Sequence, residues 1–94
     1  MNKRFELGRV VMTQGIAAAI EDSAEFSKET HTALNRYIAC DWGDTHPEDK
    51  PLNDRAVENG DTRILAKYNT SKGAIFIITE ADRTSTCILF ASEY

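Results

Sequence analysis

Residues 73–79 constrain this chain more than any other stretch, because Ile75-Phe76-Ile77-Ile78 is an unbroken apolar run. A run of that kind belongs in a central strand covered on both faces. The segments on either side, Arg63 to Tyr68 and Thr84 to Phe90, alternate apolar with polar residues instead. Asn69 to Lys72 and Glu80 to Arg83 separate the three and are turn material. Together they predict three strands in an antiparallel meander.

The first two thirds change period. Phe5 to Met12 reads as a first strand, with Phe5, Leu7 and Val11 on one alternation and Val10 and Met12 on the other. Thr13 offers an N-cap for a short helix over Gln14 to Glu21, weakened by Gly15, with Ile16, Ala17 and Ile20 on one face. Asp22 or Ser23 caps a longer helix running to about Ala39, carrying Phe26, Ala33, Leu34, Tyr37 and Ile38 at helical spacing. A third helix follows a loop. Asp49 caps it, Pro51 lies in its first turn, Leu52, Ala56 and Val57 face inward, and Gly60 stops it. A capping box at Thr45-x-x-Glu48 would place Pro51 at a position that lacks its donor, so residues 43–48 are read as a tight turn. The expected fold is α+β in the order β-α-α-α-β-β-β. An antiparallel sheet of about four strands carries helices on one face, in one domain spanning residues 1–94. Tyr94 is expected to dock on the sheet edge.

Charge is distributed unevenly along this frame. From 41 to 61, the acids Asp41, Asp44, Glu48, Asp49, Asp54, Glu58 and Asp61 face only Lys50 and Arg55, a local charge of −5. The whole chain carries −4, so the remainder sits near +1. Such a balance opposes direct nucleic-acid binding, which relies on Lys and Arg neutralising phosphates, and suits a partner with a basic surface. No apolar run is long enough to span a membrane, and the segment from Met1 to Leu7 lacks the apolar stretch of a signal peptide. A cytoplasmic location is therefore expected. Two cysteines, Cys40 and Cys87, are too few for a disulfide scaffold and should be thiols in a reducing compartment.

Strong enzymatic signatures are missing: the chain has no glycine-rich phosphate loop, no GxSxG and no CxxC. Asp41, Asp44, His46 and Glu48 could hold a divalent ion for a small hydrolase, but their spacing is not that of an EF-hand, and turn and capping roles explain them more simply. Cys40 with His46 would need an activated thiol, whereas Cys40 follows an apolar helix end and reads as a small core residue. His31 reads as a helix surface residue. Glu80 and Asp82, beside Arg83, read as a solvated turn. No catalytic residue, metal ligand or cofactor is assigned. Trp42, the only tryptophan, either packs beneath the acidic loop to pin the helix end or faces a partner as an aromatic anchor.

The segments Phe5 to Thr13, Gly15-Ile16, Cys40-Asp41-Trp42-Gly43-Asp44, Asn53-Asp54, Ile77 to Arg83 and Ile88 to Phe90 resemble a family of short bacterial proteins carried on plasmids, prophages and other mobile elements. The most specific pieces are Asp-Trp-Gly-Asp and Ile-Thr-Glu-Ala-Asp-Arg. Lys28 to Thr32 departs from the apolar helix expected there. Some small proteins of such elements are anti-CRISPR proteins. The resemblance implies a non-enzymatic inhibitor of a defence nuclease, either a CRISPR effector or a restriction enzyme. On that reading Asp41, Trp42, Asp44, Glu48, Asp49 and Asp54 form the partner-binding face. The alternative is a self-associating accessory or sensory domain, a homodimer built on the sheet edge.

Overall fold

A computed structural model describes residues 4–94. Strand β1 (Arg9–Met12) leads into helices α1 (Gln14–Asp22), α2 (Ala24–Ile38) and α3 (Lys50–Asn59). Strands β2 (Ile64–Thr70), β3 (Gly73–Thr79) and β4 (Ser85–Phe90) follow, and a 3₁₀ turn (Ala91–Glu93) ends the chain. The fold is α+β in the order β-α-α-α-β-β-β.

The helix starts follow from local chemistry. Thr13 Oγ1 accepts from the Ile16 N–H, and Ser23 Oγ accepts from the Phe26 N–H, so each hydroxyl satisfies one of the helix's unpaired donors. The end of α2 is a Schellman motif: the Cys40 N–H bonds the Tyr37 carbonyl and the Asp41 N–H bonds the Arg36 carbonyl. That motif holds Cys40 at φ 63°, a left-handed conformation usually reserved for glycine. Thr30, a mediocre helix former, is buried in α2 with its hydroxyl returned to the Phe26 carbonyl.

The sheet order is β1-β4-β3-β2. β2, β3 and β4 form the expected antiparallel meander, but β1 pairs with β4 in parallel, so the sheet is mixed rather than antiparallel. Two reversals leave β4 running the same way as β2, and β1 joins the far side of β4 in that same direction. β1 is also shorter than the apolar alternation of residues 5–12. Gly8 at φ 64° turns the chain, and a Cβ built there would lie 2.4 Å from the Thr84 backbone. Phe5 and Leu7 therefore enter the core ahead of the strand.

α1 and α2 cover one face of the sheet. Ile16, Phe26, Ala33 and Tyr37 pack there against Ile64, Ala66, Tyr68, Ile75, Ile77 and Ile88. Within this apolar layer runs one polar chain. Thr86 Oγ1 donates to the Leu7 carbonyl at 2.7 Å, so it accepts from Thr79 Oγ1, which in turn accepts from the Tyr37 hydroxyl. Each hydroxyl has one proton, and that fixes the direction of the whole relay. On the opposite face Leu65, Phe76, Cys87 and Leu89 are half-buried. Tyr94 packs edge-on against Phe76, with ring centroids 5.3 Å apart, and lies under the Arg63 guanidinium. It thus docks on the face of the central strand β3 and not on a sheet edge.

Candidate functional site

The acidic segment begins where α2 stops, and its course is set by the outer edge of β2. An edge strand presents a row of backbone donors and acceptors that must be satisfied. Here the loop and α3 supply the partners. The Asn53 side chain donates to the Leu65 carbonyl and accepts from the Leu65 N–H. Thr45 Oγ1 accepts from the Lys67 N–H, while the Asp44 N–H bonds the Lys67 carbonyl. The Asp44 carboxylate accepts from the Asn69 N–H at 2.9 Å. Gly43 makes a parallel bridge to Lys67. A Cβ at Gly43 would come within 2.4 Å of the Tyr68 ring, and its φ of 61° also favours glycine, so this close approach depends on that residue.

The six residues expected to form the partner face have unequal positions. Asp41 is exposed but engaged. Its carboxylate takes a two-pronged pair from Arg36, at 2.8 and 3.2 Å, and also accepts from the Gly43 N–H. The Arg36 hydrogen bond leads in holding this carboxyl below the ordinary carboxylate range. Arg36 itself lies over the Tyr68 ring, 5.5 Å from its centroid, and the Tyr68 hydroxyl donates to the Asp41 carbonyl. Asp44 serves the β2 edge. Asp54 is exposed and accepts from Trp42 Nε1 at 2.8 Å. Glu48 and Asp49 are exposed, and Asp49, at the start of α3, makes no side-chain capping bond.

Trp42 is 4 % exposed and clusters with Phe5 and Tyr37, which also meet each other edge-on. The structure therefore corrects the expectation of an aromatic anchor facing a partner. The indole is a core residue pinning the end of α2, and its one polar atom reaches out to Asp54. The exposed apolar side chain of the acidic stretch is instead Leu52, at 54 %. Leu52 was expected to face inward on α3. Its neighbour Asn53 takes that place because its carboxamide donates to one backbone group of Leu65 and accepts from the other. Nothing in the α3 periodicity signals this rotation, since the demand comes from a strand that follows in sequence.

Asp41, Asp44, His46 and Glu48 do not converge. Asp41 turns to Arg36, Asp44 to Asn69, and His46 Nδ1 accepts from the Glu48 N–H. Among the described residues, no three of His, Cys, Asp and Glu are grouped to hold a metal ion. Burial pushes the Cys40 and Cys87 thiols upward, which disfavours the nucleophilic thiolate. The Glu80–Arg83 turn is structural in the same sense. The Asp82 carboxylate accepts from the N–H and hydroxyl of Thr84, and the Arg83 guanidinium donates to the carbonyls of Ala56, Thr62, Glu80 and Ala81. Both short motifs, Asp-Trp-Gly-Asp and Ile-Thr-Glu-Ala-Asp-Arg, thus build the scaffold through these bonds.

All seven acids between 41 and 61 are nevertheless on the surface. The result is a run of seven exposed carboxylates, carried with one exposed leucine on a segment whose backbone is anchored to the β2 edge through Asn53, Thr45 and Asp44. Compared with known proteins, the chain matches no family model, no curated protein and no solved structure. No helix among the described residues is long and apolar enough to cross a membrane.

Proposed function

We propose that the chain is a non-enzymatic inhibitor that presents its acidic band to the basic nucleic-acid channel of a cytoplasmic defence nuclease, as an anti-CRISPR protein of a mobile element would. The observation that carries this reading is the exposure of all seven acids from 41 to 61 on a segment anchored to β2. A fixed array of carboxylates can occupy phosphate positions without the entropic cost of ordering a loose loop. Opposite charge also speeds encounter, and the rate falls as salt screens the field. Leu52 takes the role of apolar anchor that Trp42, being buried, does not fill. Asp41, Asp44 and Asp54 contribute charge while also holding the scaffold. Glu48, Asp49 and Glu58 contribute charge from positions where the fold makes no evident demand.

A competition assay tests the proposal: the full chain is titrated into a CRISPR effector or restriction nuclease together with its DNA. Cleavage should fall with added protein, and the effect should weaken between low and physiological salt. The triple reversal Glu48→Lys, Asp49→Lys, Glu58→Lys should reduce inhibition by tenfold or more, on the order of the coupling measured for close charge pairs across interfaces. Unchanged inhibition by that variant would rule out the acidic band as the binding face.

A further inference from the structure

The two edges of the sheet are treated differently. The β2 edge is closed by Asn53, Thr45 and Asp44. Among the described residues the β1 edge has no such cover, and β1 carries three of their five exposed large apolar side chains: Val10 at 42 %, Val11 at 39 % and Met12 at 44 %. In its parallel ladder Arg9 and Thr13 donate to the Thr84 and Ile88 carbonyls of the β4 side. Alternation along a strand then turns the backbone groups of Val10 and Met12 outward, away from β4. An open apolar edge of this kind is a template for another strand.

We propose that β1 pairs antiparallel with β1 of a second copy, about a two-fold axis at Val11, to make one eight-stranded sheet. The pattern of the edge argues for this occupant. A two-fold at Val11 sets Val10 opposite Met12 of the other copy, so the outward N–H and C=O groups of both residues are satisfied reciprocally. Val11 meets its own counterpart at the non-hydrogen-bonded centre, where side chains come closest. On the helix-covered side, Val10 and Met12 border a shallow groove of about 190 Å³ that also includes Ile20, Leu34 and Ile88. The incoming methionine falls beside this groove.

Charge selects the same partner. In this register Arg9 lies opposite Thr13 of the second copy, and Thr13 Oγ1 donates to the exposed Glu93 carboxylate at 2.9 Å. Each Arg9 is thereby brought to a Glu93, twice per dimer. The acidic bands do not oppose the pairing, because each lies along β2, the far edge of its own sheet. Three strand spacings of about 4.8 Å separate β1 from β2 within one copy, already beyond the Debye length of about 8 Å at physiological salt. The edge is short, well under the ~1,200 Å² of a stable interface, so the dimer is weak and concentration-dependent.

Sedimentation velocity on the full chain, from roughly 10 µM to 1 mM, reads the pairing directly. The average mass should rise towards twice that of the monomer. Amide exchange at Val10 and Met12 should slow over the same range. Val11→Lys places like charges at the two-fold and should leave a folded monomer with an unchanged circular dichroism spectrum. Arg9→Glu should shift the midpoint upward at least severalfold, and added salt should blunt that difference. A wild-type mass that stays monomeric at 1 mM overturns the proposal, including the case where an added extended peptide protects Val10 and Met12 instead. A dimer that survives Val11→Lys also overturns it, because another surface would then carry the contact.

Discussion

Gly43 and Cys40 show how much of the acidic loop depends on single backbone conformations. Gly43→Ala would combine a left-handed alanine with a collision against the Tyr68 ring, so it should lower stability by at least about 2 kcal/mol, read as a shift in denaturant midpoint. Asn53→Ala should cost about 1–3 kcal/mol because it strips both partners from Leu65. Asn53→Asp should recover less than half of that loss, since a carboxylate cannot donate to the Leu65 carbonyl. Trp42 is the sole intrinsic fluorophore of its kind and is buried, so its emission should be blue-shifted in the folded protein and move red on unfolding. An emission maximum at the fully solvated position in native buffer would contradict this placement. At Asp41, mainly through Arg36, and at Asp82, mainly through Thr84, hydrogen bonds hold the carboxyls below their ordinary value. The folded protein then binds fewer protons than the unfolded chain through the acid range. This stabilisation is fully present above a pH of about 4 and is lost as pH falls through the two folded-state values. Both groups are largely exposed, so the loss is modest. Thermal melts between pH 5 and 2 should show a falling midpoint, and Asp82→Asn should flatten part of that slope.

At the level of elements, α3 and the loop before it act as the missing neighbour of β2. That arrangement explains why a polar residue, Asn53, is buried on α3 while Leu52 is left outside. It also explains the load on Arg83. This residue accepts a φ of 61° and in return ties the β3–β4 turn to the C-terminal end of α3 through the Ala56 carbonyl. Arg83→Gly would relieve the backbone but remove four donated bonds, whereas Arg83→Ala removes the same bonds and keeps the left-handed conformation. Destabilisation should therefore be larger for alanine, by about 1 kcal/mol, in equilibrium unfolding. Equal losses would mean that the backbone conformation carries no strain. The buried relay makes a parallel case: Thr79→Val interrupts it between Tyr37 and Thr86 and should cost about 1–3 kcal/mol, despite the near-identical shape of valine.

Across the whole molecule, the two sheet edges divide the labour. One is closed by the segment that concentrates negative charge, and the other, among the described residues, is open and apolar. An eight-stranded dimer would carry an acidic band at each far end, so self-association and nuclease inhibition would use separate surfaces. Val11→Lys should accordingly leave single-site inhibition intact while abolishing mass doubling. Glu48→Lys with Asp49→Lys should weaken inhibition and leave mass doubling in place.

Much of this architecture is local and can be read along the chain. Thr13 and Ser23 cap helices because their hydroxyls lie three residues before a free N–H, and β3 keeps its predicted bounds from Gly73 to Thr79 because glycine and a turn flank an apolar run. The order of elements follows from such signals alone. Three features depend instead on residues distant in sequence. β1 lies parallel to β4 because of where the chain returns after three helices. Trp42 is buried because Phe5 and Tyr37 pack against it. Asn53 faces inward because Leu65 has an unpaired edge. Residue order alone determined that the charge would gather between 41 and 61. Only the packing decided that this segment would close a sheet edge, since a strand's unpaired backbone groups have no signature in the residues that come to satisfy them.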